Sequence, residues 1–170
     1  CGMADHGRPD RRTIRMPGWN YRRAGWYFVT INTWGSCHTL ARVRSGKMVL
    51  TRMGEIVSER WHAIPGHHPA VRLDEFVVMP SHIHGIVVLT NSGPPADGRG
   101  LGYSAGSLAA IIGSYKASCT RIVRAEMHPR MLVWQRNYYE RILMDREAID
   151  AVRRYIVANP SRWIAERHRA

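Results

Sequence analysis

The sequence predicts an α+β protein in which helices pack against an antiparallel sheet, and three observations lead to this prediction. β-Branched and aromatic residues fill the run 26–33 (WYFVTINT). Two further apolar runs, 75–79 and 82–90, flank the pair Pro80-Ser81. Segments with helical spacing of apolar residues lie between and after these runs. Strands alternating with amphipathic helices are typical of a sheet covered by a helical layer.

The first half of the chain predicts three strands and one helix. The run 26–33 is the first strand, and Ser45-Gly46 is the turn of a short hairpin between 40–44 and 48–50. A helix is predicted over 51–64, ended by the Pro-Gly pair that follows. Its apolar side chains recur three and four residues apart, at Met53, Ile56, Val57, Trp61 and Ile64.

The second half predicts a strand pair and two helices. The runs 75–79 and 82–90 are joined by a tight turn at Pro80-Ser81, and a flexible loop rich in glycine and proline follows at 91–106. Ser107 is a suitable cap for a helix that runs to about Arg124, and a mixed stretch containing Trp134-Gln135-Arg136 comes next. Asp145 caps a last helix, which is predicted to end at Asn159-Pro160.

The resulting order of elements is β, β, β, α, β, β, α, α, which predicts a sandwich of the ferredoxin or RRM type. We expect a basic N-terminal arm at 1–25, a single domain at 26–165 that contains the loop, and a tail at 166–170. At 170 residues the chain has the size of one domain.

The charge of the chain favours a polyanionic partner. Lysine and arginine together number 25 against 13 acidic residues, which gives a net charge of +12 and a pI near 10.6. Nucleic acid is the leading candidate, although basic proteins of ribosomes and membrane surfaces share this composition. Three scattered cysteines, the absence of a leader segment and short apolar runs predict a cytoplasmic protein without a membrane span.

His82 and His84 begin a predicted strand. Side chains alternate between the faces of a strand, so both imidazoles project to one side while Ile83 enters the other. That spacing suits two ligands of one divalent cation. The motif is common by chance, and two exposed strand histidines are the simpler interpretation.

Two helical tyrosines are candidates for a nucleophile, because a nuclease with a covalent intermediate needs a hydroxyl group near its metal. Tyr115 lies within roughly 60° of its helix's apolar stripe, and this placement predicts a core residue. Tyr155 lies roughly 95° from the stripe formed by Ile149, Val152 and Ile156, where a phenol can reach a cleft. Asn159, one turn later, offers an amide oxygen. Helical spacing alone does not distinguish this arrangement from an ordinary boundary tyrosine.

Five segments, taken together, resemble the REP-associated branch of the HUH (His, hydrophobic residue, His) single-tyrosine transposases. The similarity extends over residues 11–165 and rests most on MPSHIHG, WQRNYYE and YIxxNP. One departure lies at 39–43 (TLARV), where relatives commonly have a Leu-Phe-Gly type of segment, and it leaves the local edge structure open. The five segments are 12–21 (RTIRMPGWNY), 25–33 (GWYFVTINT), 73–88 (LDEFVVMPSHIHGIVV), 133–142 (VWQRNYYERI) and 155–163 (YIVANPSRW).

The resemblance implies a role for each matching position. His82 and His84 match the family's metal-binding histidines, Tyr155 its nucleophile and Asn159 its polar third ligand. The implied cofactor is Mg²⁺ or Mn²⁺, and the implied reaction cuts single-stranded or hairpin DNA through a 5′-phosphotyrosine intermediate. Related insertion-sequence enzymes are dimers, whereas this branch favours monomers, so a monomer is expected and a homodimer stays open.

Basic side chains near the two ends of the chain are the expected DNA contacts, with Trp19 or Tyr21 available for stacking. The cluster carries this expectation, since a solvated role is the simpler interpretation of any one arginine. Its members are Arg11, Arg12, Arg15, Arg22, Arg23, Arg136, Arg141, Arg153 and Arg154.

Two alternative functions remain open at this stage. The first is a non-catalytic, RRM-like module that grips structured nucleic acid, for which binding would be indifferent to a chelator. The second is a replication-initiator or relaxase type of HUH nuclease, which shares the chemistry but is usually larger.

Overall fold

The computed structural model describes residues 24–90 and 106–167, and the predicted α+β class is confirmed. Four strands form one antiparallel sheet in the order β4-β5-β1-β6, and a separate hairpin is formed by β2 and β3. The strands are β1 Gly25–Asn32, β2 Ala41–Arg44, β3 Lys47–Leu50, β4 Val71–Val78, β5 His82–Leu89 and β6 Tyr139–Leu143. The helices are α1 Arg52–His62, α2 Ile64–His67, α3 Leu108–Glu126 and α4 Arg146–Arg167.

Without the hairpin and the short α2, the elements follow the order β1-α1-β4-β5-α3-β6, which is the split βαβ arrangement of ferredoxin-like folds. α4 is an addition to this unit. None of the helices in the described ranges combines the length and the apolar character needed to cross a bilayer. Most of the predicted basic arm, the loop up to residue 105 and the end of the tail lie outside the described residues.

Alternation along the central strand β1 divides the core into two layers. Tyr27, Val29 and Ile31 are buried on one face of the sheet, in a large cluster with side chains of α1 and α3. Phe28 points to the other face, where it packs with Ile86, Leu143, Val152 and Ile156 in a smaller cluster under α4. The apolar stripe predicted for the last helix is therefore the surface that holds α4 on the sheet.

The start of α3 and the hairpin turn follow from local sequence, as predicted. The Ser107 hydroxyl accepts a hydrogen bond from the backbone N–H of Ala110 at 3.2 Å. Ser45 and Gly46 have φ values of 48° and 71°. Positive φ at both central residues is the requirement of a two-residue type I′ hairpin turn. The segment 39–43 departs from the family pattern, and its residues from Ala41 onward belong to β2 of this hairpin.

Two predicted helix ends were wrong. α4 does not end at Asn159-Pro160 but continues to Arg167, although proline removes one helix hydrogen bond at a cost of about 3 kcal/mol. The added turns make a tertiary contact, because the Trp163 ring lies edge-on to His38 with centroids 5.8 Å apart. α1 ends at His62 rather than at residue 64, and the Pro-Gly pair lies inside α2. Proline is tolerated in the first turn of a helix, where its missing N–H has no helical partner.

Two strand predictions were also incomplete. β4 begins at Val71, four residues before the predicted start, and its pairing with β5 shifts register between Leu73 and Phe76. β6 was missed altogether, since the sequence YERIL has no clear alternation of apolar and polar residues. Its hydrogen-bond partner is the free edge of β1, more than a hundred residues earlier, so the partner determines the strand.

Candidate active site

The two histidines lie at the start of β5, on the face of the sheet that α4 covers. His82 is opposite Asn32 and His84 is opposite Thr30 in the register with β1. Ile83 is fully buried on the other face, as the alternation of a strand predicts. The end of the sheet where β5 begins therefore carries two imidazoles on a single surface.

The imidazoles face each other through their Nε2 atoms, which are 3.1 Å apart. Their Nδ1 atoms point away and have hydroxyl partners. Thr30 Oγ1 lies 2.8 Å from Nδ1 of His84, and Ser81 Oγ lies 3.2 Å from Nδ1 of His82. A hydroxyl that accepts the Nδ1 proton leaves the Nε2 lone pair free for a ligand.

Burial lowers the pKa of both histidines and so favours their neutral form. It lowers the pKa of His84 to about 3, with a further contribution from the nearby His82. Burial also lowers the pKa of His82, and the charge of His38 acts in the same direction. A neutral imidazole is the protonation state that can bind a metal ion.

Tyr155 reaches this pair from α4. Its hydroxyl oxygen lies 3.3 Å from Nε2 of His84. The phenol ring stands edge-on to Phe28, at 6.1 Å between centroids, and the ring of His84 stacks on the same Phe28. The Tyr155 side chain is 40% exposed, so solvent and a substrate can approach its oxygen.

Tyr115 occupies the opposite environment, as its place in the apolar stripe of α3 predicts. The residue is 3% exposed, and its hydroxyl donates a hydrogen bond to the Val57 carbonyl at 3.2 Å. Burial raises its pKa well above the ordinary value of 10.0. A phenol held in this way packs between helices and has no route to a phosphate.

Asn159 is half-buried on α4, one turn beyond Tyr155. Its side chain makes no hydrogen bond to another described residue, whereas Tyr155 and both histidines are joined in one cluster. The place of Asn159 in the site thus rests on its position one helical turn after Tyr155, and not on a contact with the histidines.

The donor set fits a divalent cation held by two nitrogens and oxygen. Two ligands with metal bonds of about 2.1 Å, at roughly 90° to 109° to each other, are separated by about 3.0–3.4 Å. The two Nε2 atoms, 3.1 Å apart, have this spacing. Residues 24–90 and 106–167 hold no cluster of three or more His, Cys, Asp or Glu side chains suited to a metal. Further ligands would therefore be the Asn159 oxygen, water or substrate.

Three of the arginines expected to contact DNA lie on β6 or α4. Arg141 is in register with Phe28, so it is on the face of the site, and it is exposed. Arg154 is exposed next to Tyr155. Arg153 is engaged elsewhere: its Nε lies 3.1 Å from an Asp74 oxygen, and its guanidinium is 5.3 Å from the centre of the Trp26 ring. The structure thus gives Arg153 a partner in β4 that anchors α4.

Arg136 lies apart from these, in an open groove beside the exposed Trp34 and α3. Lys116 organises this region, since its ammonium donates to the backbone carbonyls of Gln135 at 2.6 Å and Arg136 at 3.2 Å. Burial lowers the pKa of Lys116 to about 8. The five N-terminal arginines, Arg11, Arg12, Arg15, Arg22 and Arg23, lie outside the described residues.

Sequence reasoning missed the residues that support the histidines. The hydroxyls of Thr30 and Ser81 lie at the Nδ1 atoms of His84 and His82, and the Phe28 ring stacks on His84. Thr30 and Phe28 are far from the histidines in sequence, and only the β1–β5 register would have shown that Thr30 is opposite His84. Ser81 was predicted to lie in a turn, and nothing in the sequence indicated that its hydroxyl would contact His82.

Comparison with known proteins relates the chain as a whole to one sequence and two structures. No family model matches the chain. An uncharacterized protein from Haemophilus influenzae is 35% identical over 165 residues, covering 90% of this chain and 89% of its own. This chain belongs to the same family as that protein.

Two solved structures share the fold. One is a REP-associated tyrosine transposase bound to a REP hairpin, with 19% identity, a TM-score of 0.57, and coverage of 87% of this chain and 73% of that chain. The other, from Deinococcus radiodurans, is described provisionally as a transposase. It has 13% identity, a TM-score of 0.50, and coverage of 84% of this chain and 94% of that chain. At these identities the likeness shows a transposase-like fold.

Proposed function

We propose that the chain is a metal-dependent single-stranded DNA endonuclease and strand transferase of the tyrosine-transposase type. The observation that carries this proposal is the approach of the Tyr155 hydroxyl to within 3.3 Å of Nε2 of His84, beside the second imidazole. A phenol can act as the covalent nucleophile, and two neutral imidazoles with an amide oxygen can hold the divalent cation that assists it.

His82, His84 and Asn159 would hold Mg²⁺ or Mn²⁺ in this proposal. The cation, when bound, offsets the negative charge that develops on the phosphate in the transition state. Thr30 and Ser81 keep the imidazoles oriented, and Phe28 fixes the Tyr155 ring by an edge contact. The chain's own contribution is therefore a rigid set of ligands and a positioned nucleophile.

The Tyr155 oxygen attacks phosphorus, and its proton passes to solvent at this exposed position. A bond forms between that oxygen and phosphorus, and the bond from phosphorus to the 3′ oxygen breaks. The leaving 3′ oxygen takes up a proton, which gives a 5′-phosphotyrosine and a free 3′-hydroxyl. Attack by another 3′-hydroxyl on the phosphotyrosine reverses the step and joins the strand to a new end.

Charge and fold support DNA as the substrate. The net charge of +12 favours a phosphate backbone, and Arg141 and Arg154 are exposed around the site. The solved structure of a REP-associated transposase contains a REP hairpin. We therefore propose hairpin-forming single-stranded DNA as the substrate class, with the N-terminal arginines as further contacts.

The covered sheet disfavours the mode of base binding that RNA-recognition modules use. RNA-recognition modules stack bases on the open face of a four-stranded sheet. Here helices cover both faces of the sheet, because α1 and α3 pack on one face and α4 packs on the other through Val152 and Ile156. A replication-initiator or relaxase type of nuclease would use the same chemistry, and its distinction from a transposase lies in the fate of the DNA ends.

The decisive experiment follows the two ends of a cut strand. Hairpin DNA with single-stranded flanks is labelled at its 3′ or its 5′ end and incubated with the chain and Mn²⁺. We expect the 3′-labelled fragment to migrate with the protein on a denaturing gel and the 5′-labelled fragment to be released. Tyr155→Phe should reduce adduct formation by at least roughly a thousand-fold and leave DNA binding nearly unchanged.

Tyr115→Phe is the matched control, because it removes the same hydroxyl from the other helical tyrosine. It should keep full adduct formation and lose about 1 kcal/mol of stability with its buried hydrogen bond. Undiminished adduct in Tyr155→Phe, or its loss in a folded Tyr115→Phe, contradicts the assignment of the nucleophile.

A further inference from the structure

A cleft of about 620 Å³ lies between the β2–β3 hairpin region and the last turns of α4. This volume is within the range of about 300–1,000 Å³ that is usual for small-ligand pockets. Met127, Met131 and Trp163 give it an apolar wall, and Arg42 and Arg167 place two guanidinium groups around it. The cleft thus combines an apolar interior with cationic surroundings.

The helix α4 contributes residues both to the cleft and to the candidate active site. Tyr155, Asn159 and Trp163 are successive residues four apart on this helix, so they lie on one side of it. Tyr155 is at the histidines and Trp163 is in the cleft wall, with Asn159 between them.

The opposite wall is also tied to the histidines. Pro80 lines the cleft immediately before Ser81 and His82, and its carbonyl accepts a hydrogen bond from the Leu40 N–H at 3.0 Å. His38 completes the connection, because its ring lies edge-on to Trp163. The cleft therefore lies next to the histidine pair, since His38 lines it and also acts electrostatically on His82.

We propose that this cleft binds an unstacked nucleotide next to the scissile phosphate, with its base against Trp163 and its phosphate at Arg42 or Arg167. The inference rests on the proposed function and deepens it by naming a subsite. It also gives a structural reason for a single-stranded substrate, since a base inside a duplex cannot enter a cleft without leaving its stack.

The chemistry of the lining suits a nucleobase. An indole offers a flat face on which any base can stack, and the contact is worth about 1–3 kcal/mol per base. Methionine side chains are soft and adapt to the shape of different bases. The Arg167 guanidinium lies over one face of the Trp163 ring, with its carbon 4.5 Å from the ring centre. A base therefore stacks on the opposite face of the indole or takes the place of this cation, which is then free to pair with a phosphate.

The test separates base contacts from backbone contacts. A fluorescein-labelled oligothymidylate of about twelve nucleotides is compared with an abasic strand of the same length and charge, by anisotropy in the presence of a chelator. The Kd of the abasic strand divided by the Kd of the oligothymidylate measures the contribution of the bases. Trp163→Ala should lower this ratio about tenfold by weakening the oligothymidylate complex alone. Trp163→Phe, which keeps an aromatic face, should retain most of the ratio.

Trp34→Ala is the matched control, since it removes an exposed indole from the separate groove at Arg136. It should leave the ratio unchanged. The inference is overturned if Trp163→Ala keeps the wild-type ratio, if it weakens both strands equally, or if Trp34→Ala has the same effect. Because the assay involves no cleavage, a failed cleft test with normal adduct formation rejects the cleft alone, whereas absent adduct rejects the nuclease.

Discussion

The two faces of the sheet carry the same kinds of residues under very different covers. On the face under α1 and α3, Trp61 is fully buried and stacks on Phe76 at 4.8 Å between centroids, and Tyr115 packs against its edge. On the face under α4 the apolar cluster is small, and Tyr155 stands at its border beside the histidines. We call the face under α1 and α3 the closed face, because its side chains form a large core. The face under α4 is the open face, because it leaves the Tyr155 hydroxyl accessible at its border.

The comparison teaches that the closed face supports the open one. Both faces share the backbone of β1 and β5, so packing against one side restricts the side chains on the other. His84 is adjacent in sequence to Gly85, whose place under Trp61 has no room for a side chain. A site built on such rigid strands keeps its ligands in position without many contacts of its own.

The largest expected effect comes from overfilling the closed face. In Gly85→Ala the added Cβ would meet the Trp61 ring at 2.3 Å, so the ring or the strand must move. We expect a loss of about 3 kcal/mol in the free energy of unfolding, measured by urea denaturation, together with weaker cleavage. If Gly85→Ala changes neither the free energy of unfolding nor cleavage, the two faces are not coupled through β5.

Gly113→Ala is the control for this prediction. Gly113 lies on α3, and a Cβ built there meets no other atom within 4 Å. Alanine should raise stability by about 1 kcal/mol, because it favours the helix more than glycine does. A loss of stability in both variants would mean that Gly85 is not special.

A smaller effect is expected from removing the support of a ligand on the open face. Thr30→Val deletes the hydroxyl that lies 2.8 Å from Nδ1 of His84 and keeps the shape of the side chain. We expect the affinity for Mn²⁺, measured by calorimetry, to fall roughly 10- to 100-fold with little change in folding. Thr90→Val, which removes a hydroxyl bonded to the Ala70 carbonyl at the far end of β5, should leave the affinity unaltered. Equal affinity in wild type and Thr30→Val contradicts the proposed orienting role.

The smallest effect concerns the attachment of α4, which is the only helix on the open face among the described residues. The hydrogen bonds from Arg153 are the main cause of a lowered pKa of Asp74, whose ordinary value is 3.8. A carboxyl group with a lowered pKa stabilises the folded state above its unfolded pKa, and this contribution disappears as the pH falls through the folded value. Asp74→Asn should therefore lower Tm by a few degrees at pH 7, and its deficit should shrink below a pH of about 4.

Glu166→Gln provides the reference for this pH profile, since Glu166 is exposed near the end of α4. Its Tm should follow that of the wild type over the whole range. A deficit of Asp74→Asn that is constant with pH would show that the ion pair does not hold α4 on the sheet.

Local patterns determined the parts of the fold that depend on near neighbours. The alternation in 26–33, the apolar spacing of α1 and α3, the hairpin turn at Ser45-Gly46 and the cap at Ser107 are contained in a few successive residues. The placement of Tyr115 in the core and Tyr155 at a helix border followed from the same spacing. The sequence also put His82 and His84 on one face of a strand, because that requires only the two-residue repeat.

Contacts between distant segments decided the rest. β6 exists because β1 has a free edge to pair with, and α4 continues past Pro160 into turns that contact His38 through Trp163. The supports at Thr30 and Phe28 depend on a register that no local pattern encodes, as does the pairing of Arg153 with Asp74. Side-chain type and spacing are properties of the chain, whereas the distance between His84 and Tyr155 arises only when α4 packs on the sheet.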